Sequence, residues 1–117
     1  MSGAQDMLSV RIRDRDAPGG IAEVPGAPTP VPGLCVARAG CWWSVTHLRS
    51  GVAAGHYDDP EVALACAVDL GLLWDWTQPL SAVRDLPCGL RQQIALTCRR
   101  WGAVKGALPG PDSWADL

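Results

Sequence analysis

CWWSVTHLRSGVAAGHY, residues 41–57, sets two indoles side by side in a stretch that alternates as a β-strand does. Successive side chains on a strand point to opposite faces of its sheet, so Trp42 and Trp43 cannot enter one core. Arg49-Ser50-Gly51 reads as a three-residue hairpin loop, a type I turn closed by a left-handed glycine. Leu48 then faces Val52, Thr46 faces Ala54, and Ser44 faces His56. One face carries Trp43, Val45, His47, Ala53 and Tyr57. The other carries Trp42, Ser44, Thr46, Leu48, Val52, Ala54 and His56. A two-residue turn at Ser50-Gly51 would slip the third strand by one and exchange its faces. We prefer the first register, which turns Ser44 and Thr46 outward together and places Trp43 and Tyr57 in the core.

Upstream, LCVAR with Gly40 behind it supplies the first strand of a three-stranded antiparallel meander. Downstream, DDPEVALACAVDLGLLWDW, residues 58–76, predicts a helix. Asp58 or Asp59 caps it, Pro60 suits its first turn, and Asp58 with Glu61 makes a capping pattern. This helix is apolar around most of its girth, so the sheet can cover only one side of it. A second helix or a second subunit must cover another. LPCGLRQQIALTCRRWGAV, residues 86–104, predicts that second helix, with Leu90, Ile94, Cys98 and Trp101 on one face and Arg99, Arg100 and Lys105 near its end.

At the N-terminus MLSVRIR alternates, with Leu8, Val10 and Ile12 on the buried face of a strand. The proline- and glycine-rich residues 17–33 read as a linker or an extended crossover, which makes residues 1–16 a detachable arm, able to pair with its own sheet or a neighbour's. The expected fold is therefore α+β. A three-stranded antiparallel meander, with or without the arm strand, packs on one apolar helix, and a second helix follows. The domain spans residues 34–106, and residues 107–117 form a tail holding Trp114.

The chain has 117 residues, 48% of them hydrophobic, and a net charge of −2. That is enough apolar material for one core and too little positive charge for a general polyanion binder. Six Trp, one Tyr, no Phe, no Asn and a single Lys among ten basic residues form the pattern of a GC-rich genome. Val62–Trp76, the longest apolar stretch, is broken by Asp69 and Asp75 and falls short of the roughly 20 residues a membrane helix needs. We expect no signal peptide, and the five cysteines, none in a C-x-x-C pair, fit a reduced cytoplasmic chain. Charge is split along the helices. Asp58, Asp59, Glu61, Asp69 and Asp75 stand without a base in residues 58–76, while Arg84, Arg91, Arg99, Arg100 and Lys105 outnumber Asp85 in residues 77–106.

Catalysis finds little support. Cys41 and His47 share a face but lie about 20 Å apart along an intact strand. Cys88 at a helix start is a packing position before it is a nucleophile. Asp58, Asp59 and Glu61 are explained by capping. No cysteine–histidine spacing matches a zinc signature, and no phosphate-binding glycine loop occurs. We expect no enzyme, no cofactor and no metal.

The run W-W-S-V-T-H, a glycine turn and G-H-Y-D-D-P-E-V-A-L-A-C-A, within residues 41–70, resembles the three-stranded-sheet-plus-helix DNA-binding domains of ethylene-response factors and phage integrase arms. Gly55, Tyr57, Ala63, Ala65 and Ala67 carry the likeness, which implies DNA reading by the exposed sheet face. The departure is in the reader. That face offers Trp42, Ser44, Thr46 and His56 where those domains use arginines, with only Arg38 and Arg49 nearby. The W-S-V-T-H-x-x-S-G turn and the D-W-T ending also resemble small proteins of high-GC bacteria and their phages.

We therefore expect a non-catalytic binding module acting by protein–protein contact, an accessory protein of a phage or mobile element. DNA binding through the sheet face is the alternative. The contact residues would be Trp42, Ser44, Thr46, His56 and Arg49 on the sheet side, Arg99 and Arg100 on the second helix, and Trp114 in the tail. The partner would be a protein, with self-association through the first helix a further route. The arm or the second helix could equally cover Trp42 in cis.

Overall fold

The computed structural model describes residues 8–13, 17–79 and 85–102. Strands β1 (Leu8–Arg13), β2 (Ile21–Pro28), β3 (Leu34–Ala39), β4 (Trp42–His47) and β5 (Ala53–Tyr57) form one antiparallel sheet in sequential order. Helices α1 (Pro60–Leu70) and α2 (Cys88–Arg100) follow. The class is α+β as expected, but the sheet has five strands where three were expected.

The two extra strands come from the arm and from the segment read as a linker. Residues 21–28 pair with β1 from Arg13↔Ile21 to Leu8↔Gly26, and with β3 only at Gly26–Pro28. On its β3 side most of β2 is therefore an edge, the place in a sheet that tolerates Pro25. Ala22, Val24 and Gly26 turn inward, and a Cβ at Gly26 would press 2.7 Å from Val10 Cγ2. Of the two pairings open to the arm strand, the one found is with its own sheet. Val10 and Ile12 are buried with Cys35 and Ala37, flanked by Ala22 and Val24.

This second small core lies on the sheet face opposite the helices. Arg13 N–H donates to Gly51 O at 3.0 Å, so the first strand also reaches the loop before the last one. A Cβ at Gly51, where φ is +75°, would come within 2.9 Å of Arg11 O. The sheet is coiled, and its inner face is enclosed.

Trp42 and Trp43 do point to opposite faces, paired with Ala39 and Arg38. Trp43 packs against the main core, with the Arg38 guanidinium 5.2 Å from its ring centroid. Trp42 is half-buried on the inner-face side. Ser44↔His56 and Trp43↔Tyr57 follow the expected register. An irregularity after Val45 then shifts the pairing to Thr46↔Ala53, and His47 N–H bonds Val52 O at 2.9 Å. The loop therefore holds four residues, Leu48 to Gly51, and closes with Gly51 N–H on His47 O at 2.8 Å. With Val52 and three small residues leading the last strand, no bulky outward side chain held the proposed register along its whole length.

The main core joins Leu34, Val36 and Val45 to Tyr57, Ala63, Cys66, Leu70, Trp76, Ile94 and Cys98. Asp59 is the cap of α1, its carboxylate accepting from Glu61 N–H at 2.9 Å. The helix stops at Leu70, well before Trp76. Its last turn tightens, with Leu72 N–H on Asp69 O and Leu73 N–H on Leu70 O. Trp76 then folds back and donates its indole N–H to Leu70 O at 2.8 Å, a second bond to the carbonyl that already accepts from Leu73 N–H.

Candidate interaction surface

The sheet face expected to meet a partner is closed. Ser44, Thr46 and His56 are buried beneath the β1–β2 hairpin, so as a contact set they are corrected. Their hydroxyls are satisfied internally, Ser44 Oγ and Thr46 Oγ1 lying 2.8 Å apart. The open sheet platform that DNA reading would require is the same face and is equally enclosed. Arg49 is exposed but holds Thr77 O through its guanidinium at 3.1 Å. Arg99 and Arg100 are exposed in the last turn of α2. Trp114 lies outside the described residues.

Burial pushes the His56 imidazole down to about 4, because a charged ring on the inner face would lose its water. Between pH 6.5 and 4 the unfolded chain takes up a proton that the folded chain refuses, so stability falls as pH falls. We expect a loss of about 1.5 kcal/mol between pH 6.5 and pH 5 from this group. Urea midpoints across that range test it. A flat profile contradicts it, and His56→Gln should flatten the wild-type slope.

Sequence reading missed a polar cluster around His47. Its Nε2 lies 2.9 Å from Gln78 O, and a carbonyl only accepts, so Nε2 carries the proton. Nδ1 therefore accepts from Ser50 Oγ at 2.6 Å, and Ser50 Oγ in turn accepts from Val52 N–H at 3.1 Å. Trp74 and Trp76 flank the ring, with centroids 5.8 and 6.1 Å away. Burial holds this imidazole below its ordinary range despite the Gln78 carbonyl. Serine and histidine at hydrogen-bond distance are the elements of a nucleophile pair. Here both ring nitrogens and the hydroxyl are engaged in fixing the loop to the segment after α1. The H-x-x-S spacing was the available signal.

A second internal cluster explains the Gly-x-Tyr ending of β5. Tyr57 folds over Gly55, where a Cβ would lie 3.0 Å from its hydroxyl and 3.3 Å from Cys98 Sγ. That hydroxyl lies 3.0 Å from both Cys66 Sγ and Cys98 O, and the two sulfurs are 4.0 Å apart. Cys98 Sγ–H reaches Ala54 O at 3.3 Å. These contacts tie α1, α2 and β5 together at one point.

Among the described residues, large apolar side chains are exposed at Leu8, Ile21 and Leu48 on the sheet side and on the outer side of the helices. Leu64, Val68 and Leu72 follow one another at four-residue spacing and are 39%, 44% and 83% exposed. Leu96 on α2 is 55% exposed, and Trp101 stands at the end of that helix. Helix α2 lies on the Cys66 and Asp69 side of α1, since Cys66 meets Cys98 and Asp69 accepts from Trp101 Nε1 at 2.7 Å. Asp58, Asp59 and Glu61 are exposed at the start of α1, and Arg99 and Arg100 at the end of α2. Comparison with protein-family models, with curated proteins and with solved structures gives no match.

Proposed function

We propose that this chain is a non-catalytic binding module acting by protein–protein contact, an accessory protein of a phage or mobile element. The observation that carries the reading is the exposure of Leu64 and Val68 one turn apart on α1, with Leu72 exposed just beyond its end. Single exposed apolar residues are ordinary, but a run of them marks a contact surface. Arg99 and Arg100 are kept as contact residues on α2. Trp42 is retained as a secondary anchor at the margin of the sheet. The likeness to small phage proteins and the GC-rich composition support the biological setting.

Affinity capture from the native cell tests the reading, using wild type beside Val68→Glu and Trp42→Ala. Proteins held by the wild type should be lost from the Val68→Glu lane. Equal recovery in all lanes overturns the proposal. Titration with duplex DNA at two salt concentrations should show no binding. A steep salt dependence would transfer the function to nucleic acid.

A further inference from the structure

Two of the five cysteines meet between the helices. Cys66 on α1 and Cys98 on α2 are both buried, and their sulfurs stand 4.0 Å apart. A disulfide holds its sulfurs at about 2.05 Å, so the pair is about 2 Å short of a bond. We infer that Cys66 and Cys98 are a redox-active pair, which a peroxide converts into a disulfide joining the two helices. This chemistry is independent of what the outer side of the helices binds.

The sulfurs sit among small residues. Ala63 and Ala95, three positions before each cysteine, are buried, and a Cβ at Gly55 would lie 3.3 Å from Cys98 Sγ. The Tyr57 hydroxyl is 3.0 Å from Cys66 Sγ, placed to donate to a thiolate there. Contact with Cys98, and then the Tyr57 hydroxyl, hold the Cys66 thiol below its ordinary range against the opposing effect of burial. Cys35 is the contrast within the same molecule. It is buried on the other face of the sheet among Val10, Ile12 and Ala37, and burial pushes its thiol up to about 12. Cys66 is therefore the attacking sulfur and Cys98 the resolving one.

The reaction balances in two steps. The Cys66 thiolate attacks one peroxide oxygen, the O–O bond breaks, and the other oxygen leaves as water after taking a proton. Cys66 is now a sulfenic acid. Cys98 Sγ attacks that sulfur, the S–S bond forms and the S–O bond breaks. The departing hydroxide takes up the Cys98 proton and leaves as a second water. Two thiols have lost two electrons to one hydrogen peroxide. Access is by local opening of the helical layer, which makes the reaction slower than that of exposed Cys41. The new bond joins residues 32 apart in sequence and removes freedom from the unfolded chain, so the oxidised protein should resist urea better than the reduced one.

Peptide mapping tests the pair in the full chain carrying Cys41→Ser and Cys88→Ser, both at exposed positions, which removes linkage between molecules through them. Hydrogen peroxide is added in native buffer, and free thiols are then alkylated in denaturant. Trypsin should release residues 50–84 joined to residues 92–99, with Cys35 alkylated. Dithiothreitol should separate the two peptides, and the urea midpoint should fall when it does. The same oxidation carried out in urea, where Cys35 is free to compete, should spread linkages over all three thiols. Cys66 and Cys98 both alkylated after native treatment overturn the pair. So does a native pattern as mixed as the one in urea, or oxidation of Cys66 to the sulfinic acid with no bond to Cys98.

Discussion

Trp76→Ala is expected to destabilise the fold by about 3–5 kcal/mol, the range for emptying a fully buried tryptophan site. Trp76 is 1% exposed and is the largest of the fully buried side chains. Its ring meets Trp74 edge-on at 5.1 Å and lies beside His47. Its indole N–H occupies the Leu70 carbonyl at the end of α1. Its backbone runs so close under Gly33, where φ is +92°, that a Cβ there would overlap the Trp76 carbonyl. The surrounding chain is thus held on several sides and has little room to collapse into the cavity. Domains of this size have about 5–15 kcal/mol in total, so the variant should unfold at a much lower urea concentration. A midpoint equal to the wild type's would contradict this packing.

Val10→Asp is expected to cost at least about 4 kcal/mol, because it removes a buried valine and puts a carboxyl where water does not reach. Val10 is buried at the centre of the inner-face cluster with Ile12, Cys35 and Ala37. The same change on a detached arm would fall within about 0.5 kcal/mol. The substitution therefore separates an arm strand that belongs to the fold from one that merely precedes it. Urea denaturation measures the difference. Limited trypsin digestion reports it independently, since Arg11 and Arg13 should become cleavable in the variant.

The central meander and the start of α1 were legible because local chemistry marked them, whereas the end of α1 at Leu70 was not. Gly40 and Gly51 take the positive φ their turns require, and Asp59 caps α1 with its own side chain. Strand β2 was not legible. Its inward positions are Ala22, Val24 and Gly26, too small to give a strong alternation, and its prolines argue for a linker. Only the close approach of Val10 explains why those positions are small, and that is a tertiary fact. The shift after Val45 escaped for a related reason, since Ala53, Ala54 and Gly55 offer no bulk to pin a register. The outward placement expected of Ser44 and Thr46 rests on hydroxyls suiting water. Their pairing with each other under the hairpin removes that requirement. The excess apolar girth of α1 was visible in the sequence, whereas the side on which α2 meets it, through Cys66 and Asp69, was not.

The bond from Arg13 N–H to Gly51 O joins the opening strand to the loop between the last two. A ribosome delivers those partners in sequence, and β1 must wait for residue 51 before that bond can form. During synthesis the nascent β1–β2 hairpin has only itself to pair with, and its valine and isoleucine stay wet until β3 to β5 emerge. Burial of Val10 should therefore wait for strands that are made after it.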